Sequence, residues 1–327
     1  MSSRYSKIRI AMDLFRDFPQ FAPAGQNGDR REMRISFEGD LPVPIPGFSA
    51  APRVIVTSVR LDLRDDSGAF NIMTPVCAAR DVTVKDFRLV AYNQDPDFGG
   101  SSAFNWVAIE EAPDATNPVP NLARGVLPPH SFAPFRESFL GRRTFKDHDF
   151  AGAGLFNAVD DGRLMASVQL TATDRGIDGH SVAAVGIVDN NTDESFKGMT
   201  AHNIDVAAGS CAFNWATFSR ANVFEPSSTA VPEPSIETGE VAERWFEPGG
   251  QPGDWQIWDV VFLGRFANPP VVLLTATQAA DIPERLTAVV VGVVQAATTG
   301  GFRLAARGCG LRPGLTGFNW IAIGDPA

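Results

Sequence analysis

Residues 104–109 read FNWVAI, and the first three letters of this stretch return at residues 213–215 and 318–320. The three tryptophans are therefore Trp106, Trp215 and Trp320. Their spacing of roughly a hundred residues is domain-sized and too long for the repeat unit of a solenoid. In a strand, Phe and Trp two residues apart point to the same face, where they anchor a core. The intervening Asn is then expected to face out or to tie down a turn.

Three further landmarks precede each tryptophan in the same order. A phenylalanine opens a strand-like segment at Phe87, Phe196 and Phe302, and earlier strand-like runs begin at Val54, Leu164 and Val271. Between them lie the matching apolar runs NIMTPVCAA, SVAAVGIVD and TAVVVGVVQ. Apolar runs and alternations of this length, separated by Gly, Asp, Asn and Pro, are typical of β-strands. The chain is therefore predicted to contain three diverged copies of one module of about six strands, packed as two antiparallel sheets.

The Pro-rich segments divide these copies. We expect a first module with an N-terminal segment at residues 1–112, a second at 131–221 and a third at 238–327. Residues 113–130 and 222–237 are predicted to be semi-rigid spacers, because they are rich in proline and lack periodic pattern.

Composition excludes several classes of protein. The net charge of −10 argues against a nucleic-acid partner, and no apolar run is long enough to insert into a membrane. The opening residues, MSSRYSKIRIAMDLF, lack the pattern of a secretory signal peptide.

The three cysteines are an odd number and are expected to be free thiols. Phosphate-binding, nucleophile-elbow and zinc-protease motifs are missing, and the four histidines are scattered, so we expect no catalysis, cofactor or metal.

The repeats resemble the H-type lectin domain, the family of snail agglutinins and of the C-terminal modules of discoidins. The third copy carries the resemblance most fully, in FANPPVVLLTATQ at 266–278, TTGGFRL at 298–304 and FNWIAIGD at 318–325. The first copy shows it in RVIVTSVRLDL, DFRL and FNWVAI, and the second in RLMASVQLTATD and FNWATF. The resemblance implies an all-β fold of three tandem six-stranded antiparallel β-sandwich modules of H-type lectin type, and association as a homotrimer.

The resemblance also implies a sugar site built from an Asp in an early loop, an Arg at the middle strand and an aromatic or His residue after the Gly-Phe. Such groups suit a sugar, because charged groups bind hydroxyls and a ring packs on the C–H face. Carried over by position, the candidates are Tyr92, Asn93, Gln94, Asp95, His202, Asn203, Asp254, Trp255 and Arg285. Trp245 and Trp258 lie close by in the sequence, so they are candidates for sugar stacking or trimer contact.

These features lead to the hypothesis of a non-catalytic adhesin that attaches to cell-surface polysaccharides or to sugars of the galactose and N-acetylgalactosamine type. An alternative is a structural fibre or spike subunit of a bacteriophage or phage-like particle, with some modules as spacers and the N-terminus attached to an anchoring protein. A glycoside hydrolase using Asp65-Asp66 or Asp160-Asp161 is a third reading. Action outside the cell, after lysis or on a particle, is expected; otherwise the chain is cytoplasmic.

Two assemblies are compatible with the repeat. Three chains can associate so that each module forms its own ring, or the three modules of one chain can form a pseudo-trimer, since the spacers are long enough to span the distance. We expected the homotrimer, because symmetric association reuses one patch and tolerates divergence between copies.

Overall fold

The strands account for most of the structure, and no helix occurs among the residues described. The computed structural model describes residues 10–16, 18–23, 26–37, 48–60, 75–93, 99–110, 124–132, 143–144, 148–149, 163–170, 184–191, 195–203, 209–218, 234–248, 253–264, 266–278, 290–308 and 313–327. The prediction of an all-β fold is confirmed for these residues.

The nineteen strands of the described residues follow the three sequence repeats. The first repeat contributes β1 (Ile10–Phe15), β2 (Arg30–Ser36), β3 (Arg53–Arg60), β4 (Pro75–Arg80), β5 (Asp86–Asn93) and β6 (Ala103–Ile109). The second contributes β7 (Arg124–Phe132), β8 (Arg143–Thr144), β9 (His148–Asp149), β10 (Arg163–Leu170), β11 (Ala184–Asn191), β12 (Ser195–Asn203) and β13 (Gly209–Phe218). The third contributes β14 (Ser235–Phe246), β15 (Trp255–Val261), β16 (Val271–Gln278), β17 (Val290–Thr298), β18 (Gly301–Gly308) and β19 (Gly314–Gly324). Every sequence landmark lies in or next to one of these strands.

Strand β7 begins at Arg124, inside the segment 113–130 that we expected to be a spacer. It contains Pro128 and Pro129, which lack the N–H that a central strand needs. β7 lies at the edge of its sheet, and its pairing with β13 shifts register between Cys211 and Phe213, opposite the two prolines. A Pro-rich composition is thus compatible with a bulged edge strand. Similarly, β14 begins at Ser235, within the predicted spacer 222–237.

The described strands form three sheets, and each sheet is shared between two repeats. Sheet I has the order β1-β6-β3-β17-β18-β15, and sheet II has the order β2-β5-β4-β10-β13-β7. Sheet III has the order β14-β19-β16-β11-β12-β8, with β9 pairing β12. Within a repeat the strands pair antiparallel, whereas the joins β3·β17, β4·β10 and β11·β16 are parallel. The first repeat therefore joins the third, the third joins the second and the second joins the first, so the pairing is cyclic.

Aromatic side chains fill the space between facing sheets. In the first repeat Phe104 and Trp106 of β6 pack with Phe87 of β5 in one buried cluster. In the third repeat Phe318 and Trp320 of β19 occupy the equivalent cluster. The rings meet edge to face, as between Phe87 and Trp106 (5.6 Å between centroids). The prediction that the Phe and Trp of this motif anchor a core is confirmed in these two repeats.

The opposite face of the same strands is buried as well. Apolar residues from all three repeats meet there in a single group, the central cluster, which consists of Ile10, Ile55, Val107, Ile109, Ala216, Ile236, Leu273, Ile321 and Ile323. Strand β6 is consequently buried at every position. Burial on both faces explains why the FNWVAI stretch reads as a continuous apolar run.

The motif asparagines lie among these apolar residues and connect the repeats. The Asn105 side-chain amide donates a hydrogen bond to the carbonyl of Val272 in the third repeat (2.6 Å). Asn214 donates in the same way to Val54 in the first repeat (3.0 Å). Asn319 is equally buried, at 2% exposure. The asparagine does face away from the Phe and Trp, but the expectation that it faces out or ties down a turn is wrong, because another repeat covers it.

Replacing Asn105 by leucine should destabilise the protein by about 1–3 kcal/mol, because the Val272 carbonyl then lacks its partner in a dry interior. Urea unfolding followed by tryptophan fluorescence measures this change. The matched control is Asn268→Leu, since Asn268 is exposed and its amide lies 3.5 Å from the Asp325 carboxylate. The control should change stability by less than about 0.5 kcal/mol. Equal effects of the two substitutions would contradict the assigned role.

Candidate functional site

The predicted sugar contacts lie at strand ends. Tyr92 and Asn93 are the last two residues of β5, and His202 and Asn203 are the last two of β12. Trp255 opens β15 and Asp254 immediately precedes it. Gln94, Asp95 and Arg285 lie outside the described residues. Phe87, Phe196 and Phe302 are each the second residue of their strand, β5, β12 and β18. The C-terminal ends of these three strands therefore occupy corresponding places in the three repeats.

A glycine turn leads into this place in the first and third repeats. Gly28 and Gly253 have φ angles of 100° and 94°, a left-handed conformation that favours glycine. Each is followed by an aspartate whose backbone carbonyl accepts a hydrogen bond from the facing strand, from Asn93 to Asp29 (2.9 Å) and from Gly308 to Asp254 (2.8 Å). The repeated Gly-Asp dipeptide is the sequence signal that identifies Asp29 of the first repeat as the equivalent of Asp254 in the third. Sequence reasoning missed it.

In the third repeat one arginine, Arg307, contacts both Asp254 and Trp255. The Arg307 guanidinium Nε lies 3.1 Å from Asp254 Oδ2, and the side chains are only 14% and 9% exposed. Its central carbon lies 5.5 Å from the centre of the Trp255 ring, within the range of a cation–π contact. Arg307 on β18 thus contacts both the carboxylate and the ring that precede and open β15.

The first repeat contains the same contact with its partners exchanged. Arg30 on β2 lies over the ring of Tyr92 on β5, 4.4 Å from its centre. In the third repeat the ring is on β15 and the cation on β18. The Asn93 side chain is fully buried and donates to the carbonyl of Ala22 (2.9 Å), so it holds the preceding loop and is not presented to solvent. A cation–aromatic pair across two strands is therefore common to both repeats, whichever strand supplies the cation.

The second repeat has different residue types at this place. The strand register pairs Ala201 with Thr144 and His202 with Arg143. Alanine and threonine offer neither a ring nor a charge, and Arg143 stands where the other repeats have aspartate. The residue types that the register brings to this place therefore differ from those of the first and third repeats.

The three neighbouring tryptophans of the third repeat have separate environments. Trp258 is buried in the core, and its indole N–H has no hydrogen-bond partner there. Trp255 is half-buried beside Arg307. Trp245 is 42% exposed, which is high for such a large ring. Only Trp245 among these three presents much of its ring to solvent.

Polar groups fix the position of Trp245. Its indole N–H donates to Glu247 Oε1 (2.8 Å), and its backbone carbonyl accepts a hydrogen bond from the Gln256 side chain (3.1 Å). The Glu247 backbone N–H in turn binds the carbonyl of Gly253, next to Asp254 (3.2 Å). We call Trp245, Glu247 and Gln256 the tryptophan platform. It is an exposed aromatic ring with carboxylate and amide groups beside it, adjoining the Asp254–Arg307 pair.

Groups that could perform catalysis are sparse in the described part of the chain. No set of three His, Cys, Asp or Glu residues is arranged there to hold a metal ion. Cys77 is a free thiol, and desolvation raises its pKa to about 12, so it stays protonated at neutral pH. His130 and His148 lie in strands β7 and β9, and His180 lies outside the described residues, as do Asp65-Asp66 and Asp160-Asp161.

Comparison with known proteins gives no relative. No family model matches the chain, and neither a curated protein nor a solved structure is significantly similar to it. Within the described ranges, no helix has the length and apolar character needed to cross a membrane.

Replacing Asp254 by alanine should cost about 3 kcal/mol, because it removes the carboxylate that binds the largely buried Arg307 guanidinium. Thermal and urea unfolding would report the loss. Asp259→Ala is the matched control: its pair with Arg303 has a similar distance (2.8 Å) but is 70% and 48% exposed. That substitution should cost less than about 1 kcal/mol. A larger loss for Asp259→Ala than for Asp254→Ala would contradict a structural role for the buried pair.

Proposed function

We propose that the chain is a non-catalytic carbohydrate-binding protein that attaches to cell-surface glycans, and that the tryptophan platform of the third repeat makes the principal contact. The observation that supports this most directly is the exposed Trp245 ring, held by Glu247 and Gln256. An aromatic face packs on the C–H side of a sugar ring, while carboxylate and amide groups bind its hydroxyls. A ring held in place before binding loses little entropy when the sugar binds.

The fold expected from the H-type resemblance is part of this proposal. Six strands in the first and third repeats, packed around separate aromatic clusters, support a six-stranded sandwich as the unit. Galactose and N-acetylgalactosamine are the sugars that the resemblance favours. The carboxylates near the platform suit neutral sugars better than anionic ones, because like charges repel.

A structural role, as a fibre or spike subunit, is the second candidate. It is favoured by the two cation–aromatic pairs, since Arg30–Tyr92 and Arg307–Trp255 are contacts made within the chain. In such a protein these strand ends would stabilise the fold, and glycan binding would be lacking in all three repeats.

The test is binding to immobilised galactose and N-acetylgalactosamine glycans by the whole chain and by variants at position 245. Trp245→Ala should weaken binding at least tenfold, a loss of about 1.4 kcal/mol. Trp245→Phe should retain most of the binding, because a ring remains. Val84→Ala, at an exposed apolar side chain of the first repeat, should leave binding unchanged. Absence of binding by the unaltered chain would favour the structural role.

The assembly proposed with this function is a single-chain pseudo-trimer. The cyclic joins between strands β3 and β17, β4 and β10, and β11 and β16 support it, because each repeat finds its neighbours within one chain. The homotrimer of stacked rings stays a prediction. It would require each repeat to pair with the same repeat of two other chains.

Sedimentation of dilute protein separates the two assemblies. The pseudo-trimer should sediment with the mass of one chain, 35.1 kDa, because its three repeats already complete one another's sheets. A persistent species of three chains that survives dilution would contradict the single-chain arrangement and support the homotrimer.

A further inference from the structure

The outer edge of sheet I carries the two most exposed large apolar side chains among the described residues. Val261, the last residue of β15, is 77% exposed, and Leu263 just beyond it is 83% exposed. β15 is the terminal strand of sheet I, with β18 as its only neighbour in that order. An apolar edge of this kind either needs protection or serves as an interface.

The loop that carries Leu263 is held rigidly. The carboxylate of Glu237, itself only 7% exposed, accepts hydrogen bonds from the backbone N–H groups of Leu263 (2.5 Å) and Gly264 (3.0 Å). Phe262, between the two exposed residues, turns inward and packs against Trp320 (5.8 Å between ring centres). Its N–H binds the carbonyl of Gly300 (3.0 Å). A buried carboxylate and a buried ring thus fix the backbone that presents Leu263 to solvent.

An open groove is lined by Val261, two residues before Leu263. It has a volume of about 370 Å³ and lies between the end of β15 and the turn that joins β17 to β18. Val261, Thr298 and Gly300 are among its lining residues, together with Asp259 and Arg303. Gly300 leaves open space beside the turn, since a Cβ there would meet no other atom within 4 Å. The surface therefore combines a projecting leucine with an apolar hollow beside it.

We propose that this surface binds a second copy of the same chain across a twofold axis, with Leu263 of each copy in the groove of the other. A patch that carries both a projection and a hollow is self-complementary, which is the property that a twofold interface requires. Antiparallel pairing of an edge strand with its own copy has the same symmetry. This contact is independent of the proposed glycan binding.

The charges of the patch favour the second copy over another partner. Asp259 and Arg303 flank the groove, 2.8 Å apart, and both remain largely exposed. The groove lining carries one carboxylate and one guanidinium, so its charges balance, although the whole chain has a net charge of −10. Across the twofold axis, Asp259 of one copy faces Arg303 of the other, so two copies meet without repulsion.

The first test is the mass of the whole chain by sedimentation over a range of concentrations. The unaltered chain should show reversible association from one chain to two. Leu263→Asp should weaken this association at least tenfold, because it places a carboxylate in the apolar groove. Val84→Asp, at an exposed valine of the first repeat, should leave the association unchanged. Circular dichroism checks that both variants are folded. A chain that stays single at every concentration, or a dimer that persists in Leu263→Asp, would overturn the proposal.

A mixing experiment tests the contact between copies directly. Asp259→Arg gives a patch with two cations, and Arg303→Asp gives a patch with two carboxylates, so each variant alone should fail to dimerise. An equimolar mixture should regain the two-chain species, because opposite charges then meet across the interface. If Asp259 and Arg303 only stabilise the fold of their own chain, mixing changes nothing, and that result would overturn the assignment.

Discussion

The arrangement of the three repeats depends on buried amide groups that reach from one repeat to the next. Asn105 and Asn214 each bind a backbone carbonyl of a neighbouring repeat, and both lie in a region otherwise filled by apolar side chains. In a low-dielectric interior a hydrogen bond is strong, and an unpaired group there is costly. Thr57 adds a third contact of this kind, since its hydroxyl accepts from the N–H of Leu274 (3.0 Å). Apolar packing alone would allow the sheets to slide, whereas these bonds select one register.

The strands were largely predictable, but their connections between repeats were not. The apolar runs beginning at Val54, Leu164 and Val271 lie in strands because their alternation and length leave little choice. By contrast, sequence periodicity does not say which strand lies beside which. The Asn of the motif shows the difficulty: a polar residue in an alternating strand normally faces water, and only the position of the other repeats reveals that Asn105 is covered. Strand β7 was difficult to predict for another reason: its two prolines are typical of a spacer rather than of a strand.

The strand positions of the candidate residues could be predicted from the sequence, whereas their contacts could not. Asp254 and Trp255 are adjacent in the sequence, but the arginine that contacts both of them, Arg307, comes from the facing strand, which periodicity does not identify. In the first repeat the cation and the ring have exchanged strands, so a search for fixed residue types misses the pair. The exposure of the tryptophan rings could not be predicted from the sequence either. Trp245 and Trp258 both lie in strands of the third repeat, yet the first ring faces solvent and the second fills the core.

The cyclic joins between repeats also bear on how the chain reaches its native state. Leu274 and Thr57, which are bonded to each other, are separated by 217 positions in the sequence. During synthesis, β3 of the first repeat can pair with β6, but its other edge must wait for β17. Until then Ile55 and the edge of β3 are open to other chains, and contacts this distant in sequence form slowly. A repeat cut out of the chain would keep that open edge permanently, so the whole chain, rather than the single repeat, is the unit that buries its strands.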